Sequence, residues 1–294
     1  GLALAAVMCM GLLAGCGGTP SNSDTADETS GTETSEKVLN IATIGETTTL
    51  SPLYMIADNR PTQKLLYEGL VKYVDGEIQP VLAEDWELSE DGTQLTFYLR
   101  QGVTFHDGEP FNAEAAIANI ESWHINPSFA SLPGVVNYTN IEAVDEYTIR
   151  LTYDTPYFAY INDFCWPDVC TMISPKLITQ GDFQTVNGYA GTGPYIYDEY
   201  VAGQYTTFVR NENYWGEQPY YDKIVAKYIP DNASRVQALQ TGEIDLIYGS
   251  AELSYEDYNQ AIAIDGIEGK FAPSGSTVRN IILNFNGNLS DLSV

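Results

Sequence analysis

The stretch 191–230, GTGPYIYDEYVAGQYTTFVRNENYWGEQPYYDKIVAKYIP, constrains the fold more than any other part of the 294-residue chain. Its opening Gly-Thr-Gly-Pro can only be a tight turn, and the residues that follow alternate Tyr with Asp and Glu, as a half-buried strand does. A second strand, Tyr205–Arg210, comes after a three-residue connection that contains Gly203, so the two strands are predicted to form a hairpin. A compact aromatic loop then leads to a third strand over 224–229. Nothing in this stretch is typical of catalysis.

The first residues of the chain are typical of an export signal. Residues 1–15 are apolar and uncharged, and Leu13-Ala14-Gly15-Cys16 matches the lipobox at which a lipid is attached to cysteine. A short buried helix and a membrane anchor are the alternatives, but the apolar run is shorter than the ~20 residues that a bilayer span needs. We therefore expect a signal peptide over 1–15 and lipidation at Cys16.

A polar segment follows the lipidation motif. Residues 17–37 are Ser, Thr, Gly, Asp and Glu with almost no apolar side chain, a composition that cannot bury enough surface to fold. We expect a disordered tether over 16–37 that holds a globular body outside the cytoplasm, at the cell surface or in the periplasm. Because neither an initiator Met nor a basic region precedes the apolar run, we expect the natural protein to extend beyond Gly1.

The charge of the chain restricts its partners. The formal net charge is −27 and the isoelectric point is about 4.1. Nucleic acids and anionic lipid surfaces would repel such a chain, so neither is an expected partner. High acidity is also simply a way in which exported proteins stay soluble, and this explanation is preferred over attraction of cations.

Two cysteines remain in the body of the exported chain, Cys165 and Cys170, in the sequence Cys-Trp-Pro-Asp-Val-Cys. A local disulfide is the first interpretation, because two isolated cysteines this close in an oxidising compartment tend to pair. Free buried thiols are the second. A thiolate metal site that includes His124 is the third, since neither the spacing nor the number of ligands matches a closed zinc site.

The chain after the tether begins with a strand and a loop. Val38–Thr43 alternates apolar and polar residues and is predicted as the first strand of a sheet. The segment 45–55 has turn-forming residues without periodicity, so it should leave the carboxyl end of that strand, where ligands collect in open α/β sheets. Tyr54 and Met55 are therefore candidates for the wall of a cleft, and a local packing role is the alternative.

Other segments have helical patterns. An apolar stripe predicts an amphipathic helix over 61–71. Asn112 is predicted to cap a helix that ends at Trp123-His124. Asn232 is predicted to cap a second helix, which stops at Gly242.

The sequence His106-Asp107-Gly108-Glu109 is the one stretch where a histidine adjoins carboxylates. A catalytic or metal-binding role is conceivable, but adjacent residues of a turn point in different directions. We interpret this stretch as a structural turn.

Several ordered motifs resemble one family. They are Leu50-Ser-Pro-Leu-Tyr54, Leu65-Leu-Tyr-Glu-Gly-Leu70, Leu82-Ala-Glu-Asp-Trp86, Gly102-Val-Thr-Phe-His-Asp-Gly-Glu-Pro-Phe111, Gly191-Thr-Gly-Pro-Tyr195, Arg210-Asn-Glu-Asn-Tyr-Trp-Gly216 and Asp231-Asn-Ala-Ser-Arg-Val-Gln-Ala-Leu-Gln-Thr-Gly-Glu-Ile-Asp245. Together, from about Val38 to the end of the chain, they closely resemble the peptide/nickel-type extracellular solute-binding proteins of ABC importers.

The resemblance implies a fold. It implies an α/β, periplasmic-binding-protein-like type II lobe with an inserted mixed α+β subdomain, and a second lobe that is mostly missing from this chain. The first subdomain would comprise 38–71 and 189–268, the insertion 72–188, and 269–294 would cross into the second lobe. Relatives close that lobe over the ligand, so we expect the natural protein to continue past Val294.

The resemblance also implies a function without catalysis. A monomeric lipoprotein would capture a di- or oligopeptide-like solute, or alternatively a nickel or other metal chelate, and deliver it to the membrane subunits of an ABC permease, without a cofactor. The contacts implied in this chain are Trp123, Trp166, Asp168, Thr171 and, in the crossover strand, Asn284. For Trp123 the alternative is a half-buried ring that closes a core. Nickel-type relatives place an arginine near the position of Thr171, which disfavours a nickel chelate here.

Two other classes of function are alternatives to this one. An extracellular metal-binding protein would use Cys165, Cys170 and His124. A hydrolase needs a nucleophile beside a base, and neither histidine has a Ser or Cys neighbour in a recognisable nucleophile elbow.

Overall fold

The computed structural model describes residues 36–54, 60–166, 169–179, 181–250, 253–271 and 279–284. The strands are β1 (Val38–Thr43), β2 (Val71–Val74), β3 (Glu77–Pro80), β4 (Ala83–Leu88), β5 (Gln94–Leu99), β6 (Tyr138–Asp145), β7 (Thr148–Tyr153), β8 (Tyr195–Val201), β9 (Tyr205–Arg210), β10 (Lys223–Tyr228), β11 (Leu246–Ser250), β12 (Ile267–Phe271) and β13 (Arg279–Asn284). The helices are α1 (Arg60–Leu66), α2 (Ala113–His124), α3 (Pro133–Val136), α4 (Tyr160–Phe164), α5 (Asn232–Thr241) and α6 (Tyr255–Ile262). None of the helices within these ranges has the length and apolarity that a bilayer span requires.

A seven-stranded sheet organises one part of the molecule, with the strand order β12-β13-β11-β1-β10-β9-β8. β1 lies between β10 and β11 and runs parallel to both, while the remaining pairs are antiparallel. The predicted hairpin is confirmed as β8 and β9. Helix α5 connects β10 to β11 and crosses over β1, so the carboxyl ends of these three strands meet at one edge of the sheet.

Apolar side chains cover both faces of this sheet. Leu39 and Ile41 of β1 belong to a buried cluster that includes Phe208, whereas Ala42 belongs to a different cluster formed with α5 and α6. This division follows from the two-residue period of a strand, which sends successive side chains to opposite faces. The sheet is therefore a central layer that is packed on both sides.

A second layer is built from the middle of the chain. The strands β4, β5, β7 and β6 form an antiparallel sheet in that order, and β2 pairs with β3 in a separate hairpin. The inner face of the sheet packs on α2 and α4 around a large buried cluster, with Phe97 and Phe164 edge to face at 5.0 Å.

The two sheets draw on different parts of the sequence. The smaller sheet uses 83–153, and the larger one uses 38–43 and 195–284. The crossover predicted over 269–294 starts inside the larger sheet, because β12 and β13 are two of its strands. The subdomain boundaries themselves stay a prediction.

Two helix boundaries differ from those predicted. Helix α1 ends at Leu66 rather than at Val71, because Gly193 donates its backbone N–H to the carbonyl of Leu66 and Val71 already belongs to β2. The cap of α5 is Asp231 rather than Asn232, since its carboxylate accepts from the backbone N–H of Ser234 at 2.8 Å. The predicted cap Asn112 and the left-handed stop at Gly242 are confirmed.

Candidate ligand-binding cleft

The loop that leaves β1, residues 44–54, is held by its own polar side chains. The hydroxyls of Thr49 and Ser51 donate to the backbone carbonyls of Gln184 and Phe183, at 3.0 and 2.7 Å. The amide of Gln63 in α1 donates to the carbonyl of Ser51 at 2.7 Å. These hydrogen bonds connect the loop to 183–184 and to α1 through side chains, without regular secondary structure. The hydrogen bonds of Ser51 therefore fix the position of the last residues of the loop.

Tyr54 lies at the end of this loop. It is half-buried, and its backbone N–H donates to the carbonyl of Ser51 at 3.2 Å. The loop leaves the carboxyl end of β1, the edge of the sheet at which a cleft is predicted. Met55, the other candidate in this loop, lies outside the described residues.

Glu68, just after α1, connects three of the sequence motifs. Its carboxylate accepts hydrogen bonds from the hydroxyl of Thr192 at 2.9 Å, from the hydroxyl of Tyr214 at 2.7 Å and from the indole N–H of Trp215 at 2.8 Å. Burial raises the pKa of Glu68, and the three donors oppose that shift by stabilising the charged form. The aromatic loop at 211–216 therefore serves to hold a largely buried carboxylate.

His106 connects the two layers through backbone groups. Its Nδ1 accepts from the N–H of Gly191 at 3.3 Å, and its Nε2 donates to the carbonyl of Gly193 at 2.9 Å. This pair of contacts requires the neutral ring with the proton on Nε2. Burial is the main cause of a lowered pKa at His106. The interpretation of this stretch as a structural turn is confirmed, and a ring engaged at both nitrogens has no lone pair left to act as a base.

A cavity of about 310 Å³ opens beside α1. It is lined by Gln63, Lys64, Tyr67, Glu68, Gly69, Val71, Lys72, Tyr73, Val74, Val81, Phe164, Cys165, Trp166, Cys170 and Thr171. The structure brings Trp166 and Thr171, two of the predicted contacts, into this one cavity. Trp166 is 45% exposed, so its side chain is accessible to solvent.

The main chain shapes this cavity. Gly69 and Thr171 form an antiparallel bridge, and the N–H of Met172 donates to the carbonyl of Glu68 at 2.8 Å. The segment that carries Trp166 and Thr171 is thereby fixed against the residues that follow α1. Asp168, predicted beside them, lies outside the described residues, and Asn284 ends β13, where it pairs with Ile267.

The structure does not contain the predicted disulfide between Cys165 and Cys170. Cys165 and Cys170 are free, buried thiols, and each sulfur lies 3.4 Å from a different carbonyl, that of Ile161 for Cys165 and that of Asp163 for Cys170. Burial is the main cause that raises the pKa of Cys165 to about 11 and the pKa of Cys170 still further. The prediction of a disulfide is wrong because these local contacts direct the two sulfurs to separate partners. The second interpretation, free buried thiols, agrees with the structure.

The positions of the three side chains disfavour a metal site built from the two thiols and His124. His124 lies elsewhere, in a cavity of about 530 Å³ between α2 and 175–183, where its ring packs on Tyr138 at 4.5 Å. Within the described ranges, no group of three or more His, Cys, Asp or Glu side chains is arranged to hold a metal ion.

Trp123 is not part of the cleft. It has no exposed surface and stacks on Phe129, with ring centroids 5.9 Å apart and planes within 7°. The predicted ligand contact is wrong, because the end of α2 turns this side chain into the core of the smaller layer. The alternative, a ring that closes the core, is the correct one.

Sequence reasoning missed several lining residues. Gln63 and Lys64 lie in α1, and Lys72 and Tyr73 lie on β2. The stripe identified the buried side of this segment and left its polar side unassigned. The available signal was the pair of lysines eight residues apart in a chain that has few basic residues.

Comparisons with known proteins agree with this architecture. The chain matches the model of the bacterial extracellular solute-binding proteins, family 5 (middle), over residues 77–294. It is 38% identical over 209 residues to the nickel-binding periplasmic protein of Escherichia coli (strain K12), a match that covers 69% of this chain and 40% of that protein.

Two solved structures are similar to it. NikA from Brucella suis in complex with Fe(III)-EDTA has a TM-score of 0.75 and 32% identity, covering 81% of this chain and 48% of that one. DppA from Helicobacter pylori in complex with the peptide STSA has a TM-score of 0.69 and 26% identity, covering 80% and 50%.

The chain spans about half the length of these proteins or less. Within that span the predicted family and the periplasmic-binding-protein-like α/β fold are confirmed. The chain belongs to the bacterial extracellular solute-binding proteins of family 5.

Proposed function

We propose that this protein is the substrate-binding lipoprotein of an ABC import system and that it captures a di- or oligopeptide-like solute. The solute binds against the cavity beside α1, a second lobe closes over it, and the closed form delivers it to the permease subunits. The protein does not alter its cargo chemically. Closure is driven by contacts that exist only when ligand is bound, so the ligand shifts the population toward the closed form.

One observation carries this proposal. Trp166 and Thr171 line a single cavity of about 310 Å³, and the Gly69–Thr171 bridge fixes their segment against the residues that follow α1. A cavity of this volume with an exposed aromatic ring suits a small apolar or peptide-like solute. DppA, similar in fold, is in complex with a peptide.

A nickel or other metal chelate is the second candidate. The similarity of the chain to the nickel-binding periplasmic protein of Escherichia coli and to NikA in complex with Fe(III)-EDTA favours this candidate. Thr171 disfavours it, because the resemblance places an arginine near this position in nickel-type proteins. A site built directly from Cys165, Cys170 and His124 is the weakest candidate, since the thiols and the imidazole line different cavities.

The location is proposed from the first residues. A lipid on Cys16 and a polar tether over 16–37 hold the binding body on the outer side of the membrane. Mass spectrometry of the membrane fraction tests this proposal. A mature N-terminus at an acylated Cys16 is expected, and an unmodified protein that keeps residues 1–15 would contradict it.

The ligand is tested by titrating the protein expressed from its complete gene with dipeptides, oligopeptides and nickel-histidine. We expect a dipeptide or an oligopeptide to raise the thermal midpoint and to change the tryptophan fluorescence. Trp166→Phe should abolish most of the fluorescence change while the increase in thermal midpoint persists, since the Phe ring keeps the apolar surface. No response to any of these ligands would contradict both candidates.

A further inference from the structure

The cavity between α2 and 175–183 has no part in the proposed function. Its volume is about 530 Å³, which is typical of sites for small organic molecules. Its lining comes from α2, from the start of β6 and from 175–183, and it shares no lining residue with the cavity beside α1. The two cavities are therefore separate.

One face of α2 forms the floor of this cavity. Ala118, Glu121, Ser122 and Ile125 follow one another at intervals of three, one and three residues, which places them on one side of the helix. Ile125 is 57% exposed. The floor thus combines a carboxylate with accessible apolar surface.

The wall opposite α2 is held in place by hydrogen bonds. The hydroxyl of Ser51 donates to the carbonyl of Phe183, and the hydroxyl of Thr179 donates to the carbonyl of Asp182, both at 2.7 Å. Phe183 and Thr179 line the cavity. Because this wall is already ordered, a ligand that binds against it loses little affinity to ordering of the protein.

Aromatic rings border the cavity next to the carboxylate of Glu121. They belong to His124, Tyr138 and Phe183, and the ring centroids of His124 and Tyr138 are 4.5 Å apart. Burial is the main cause that raises the pKa of Tyr138 to about 12, and the charge of Glu121 adds to it, so this carboxylate lies close to the tyrosine. Aromatic faces attract cations, and a carboxylate nearby adds to that attraction.

The charges around the cavity favour a cation over an anion. The described lining residues include the carboxylate of Glu121 and neither Lys nor Arg, and Lys176 in the opposite wall is engaged by Glu109. The cavity also borders the last turn of α2, the negative end of the helix dipole. A bare metal ion does not fit, since the described residues contain no group of three or more His, Cys, Asp or Glu side chains placed to hold one.

We propose that this cavity is a second binding site, for a small organic ammonium ion. Glu121 supplies the opposite charge, the ring of Tyr138 contacts the ammonium group, and Ile125 contacts the apolar part. The net charge of −27 attracts such an ion at long range. This inference does not depend on the proposed function.

The test uses pairs of ligands that differ in the ammonium group alone. The protein from the complete gene is titrated calorimetrically with phenylethylamine and phenylethanol, and with choline and its uncharged carbon analogue, dimethylbutanol. We expect at least one ammonium ion to bind, with an affinity about tenfold higher than that of its uncharged counterpart, the size of one cation–π contact supported by a carboxylate. We also expect its affinity to fall as NaCl is raised.

Glu121→Gln supplies the residue-level test. The variant should lose about tenfold in affinity for the ammonium ion and should bind the uncharged counterpart as before. Glu142→Gln is the matched control, because it removes the same charge from a residue that pairs with Arg150 on the smaller sheet and does not line the cavity. It should leave both affinities unchanged.

Three results would overturn this proposal. They are equal binding of the charged and uncharged members, an affinity for the ammonium ion that Glu121→Gln leaves intact, and no binding of either ammonium ion at about 10 mM, a concentration that detects even a weak site. None of them bears on the proposed function, which is tested separately with peptides and nickel-histidine.

Discussion

At the scale of single residues, His106 is the side chain whose protonation state the fold fixes. Nδ1 accepts from Gly191 and Nε2 donates to Gly193, so the folded protein holds the neutral ring. Because burial lowers the pKa of His106 in the fold, the unfolded chain binds a proton more readily, with a pKa of about 6.5. The contribution of this group to the free energy of unfolding is complete above that pH and is lost as the pH falls below it.

We therefore predict that His106→Gln weakens the acid dependence of stability. The free energy of unfolding of the natural protein should fall between about pH 7 and pH 5 with a slope from this group of at most about 1.4 kcal/mol per pH unit. Urea unfolding at several pH values measures it. Gln keeps a donor for the carbonyl of Gly193 and does not titrate, so an unchanged slope in the variant would show that His106 is not the group responsible.

At the scale of elements, the close approach of the 191–194 turn to the end of α1 joins the larger sheet to the helix. A Cβ at Gly191 would overlap the carbonyl oxygen of Leu66 and lie 2.5 Å from a ring carbon of Tyr67. We predict that Gly191→Ala lowers the free energy of unfolding by about 3 kcal/mol, because backbone atoms and a buried ring cannot move aside. Chemical denaturation measures the change.

Gly203→Ala is the control for that variant. Gly203 lies in the β8–β9 turn with φ of +69°, and no heavy atom lies within 4 Å of the position that a methyl group would take there. Only its backbone conformation therefore opposes alanine, at a cost of about 1 kcal/mol. If Gly191→Ala is no more destabilising than Gly203→Ala, the packing argument fails.

At the scale of the whole molecule, the excess of 27 negative charges opposes the compact state. We predict that the thermal midpoint rises when NaCl is increased from about 10 to 200 mM, since salt screens repulsion between exposed carboxylates. Differential scanning calorimetry measures it, with sucrose at the same osmolality as the uncharged comparison. A midpoint that falls with NaCl would mean that the surface salt bridges outweigh the repulsion.

Local patterns were sufficient for most of the secondary structure. The alternation in β1, β8 and β9, the cap at Asn112 and the stop at Gly242 depend on neighbours within a few residues, and each is present in the structure. The end of α1 depends on a contact with Gly193, more than a hundred residues away, and the sequence pattern extended that helix too far.

The sequence by itself determined the family and the β8–β9 hairpin at one edge of the larger sheet, because motifs and alternation are written in adjacent residues. Only the tertiary structure decided that Trp123 is buried, that Cys165 and Cys170 are free and that Lys72 lines the cavity. Each of these depends on how the chain packs around the side chain, for example the ring of Phe129 on Trp123 and the carbonyls of Ile161 and Asp163 on the two thiols. The apolar and polar pattern of the sequence does not encode that packing.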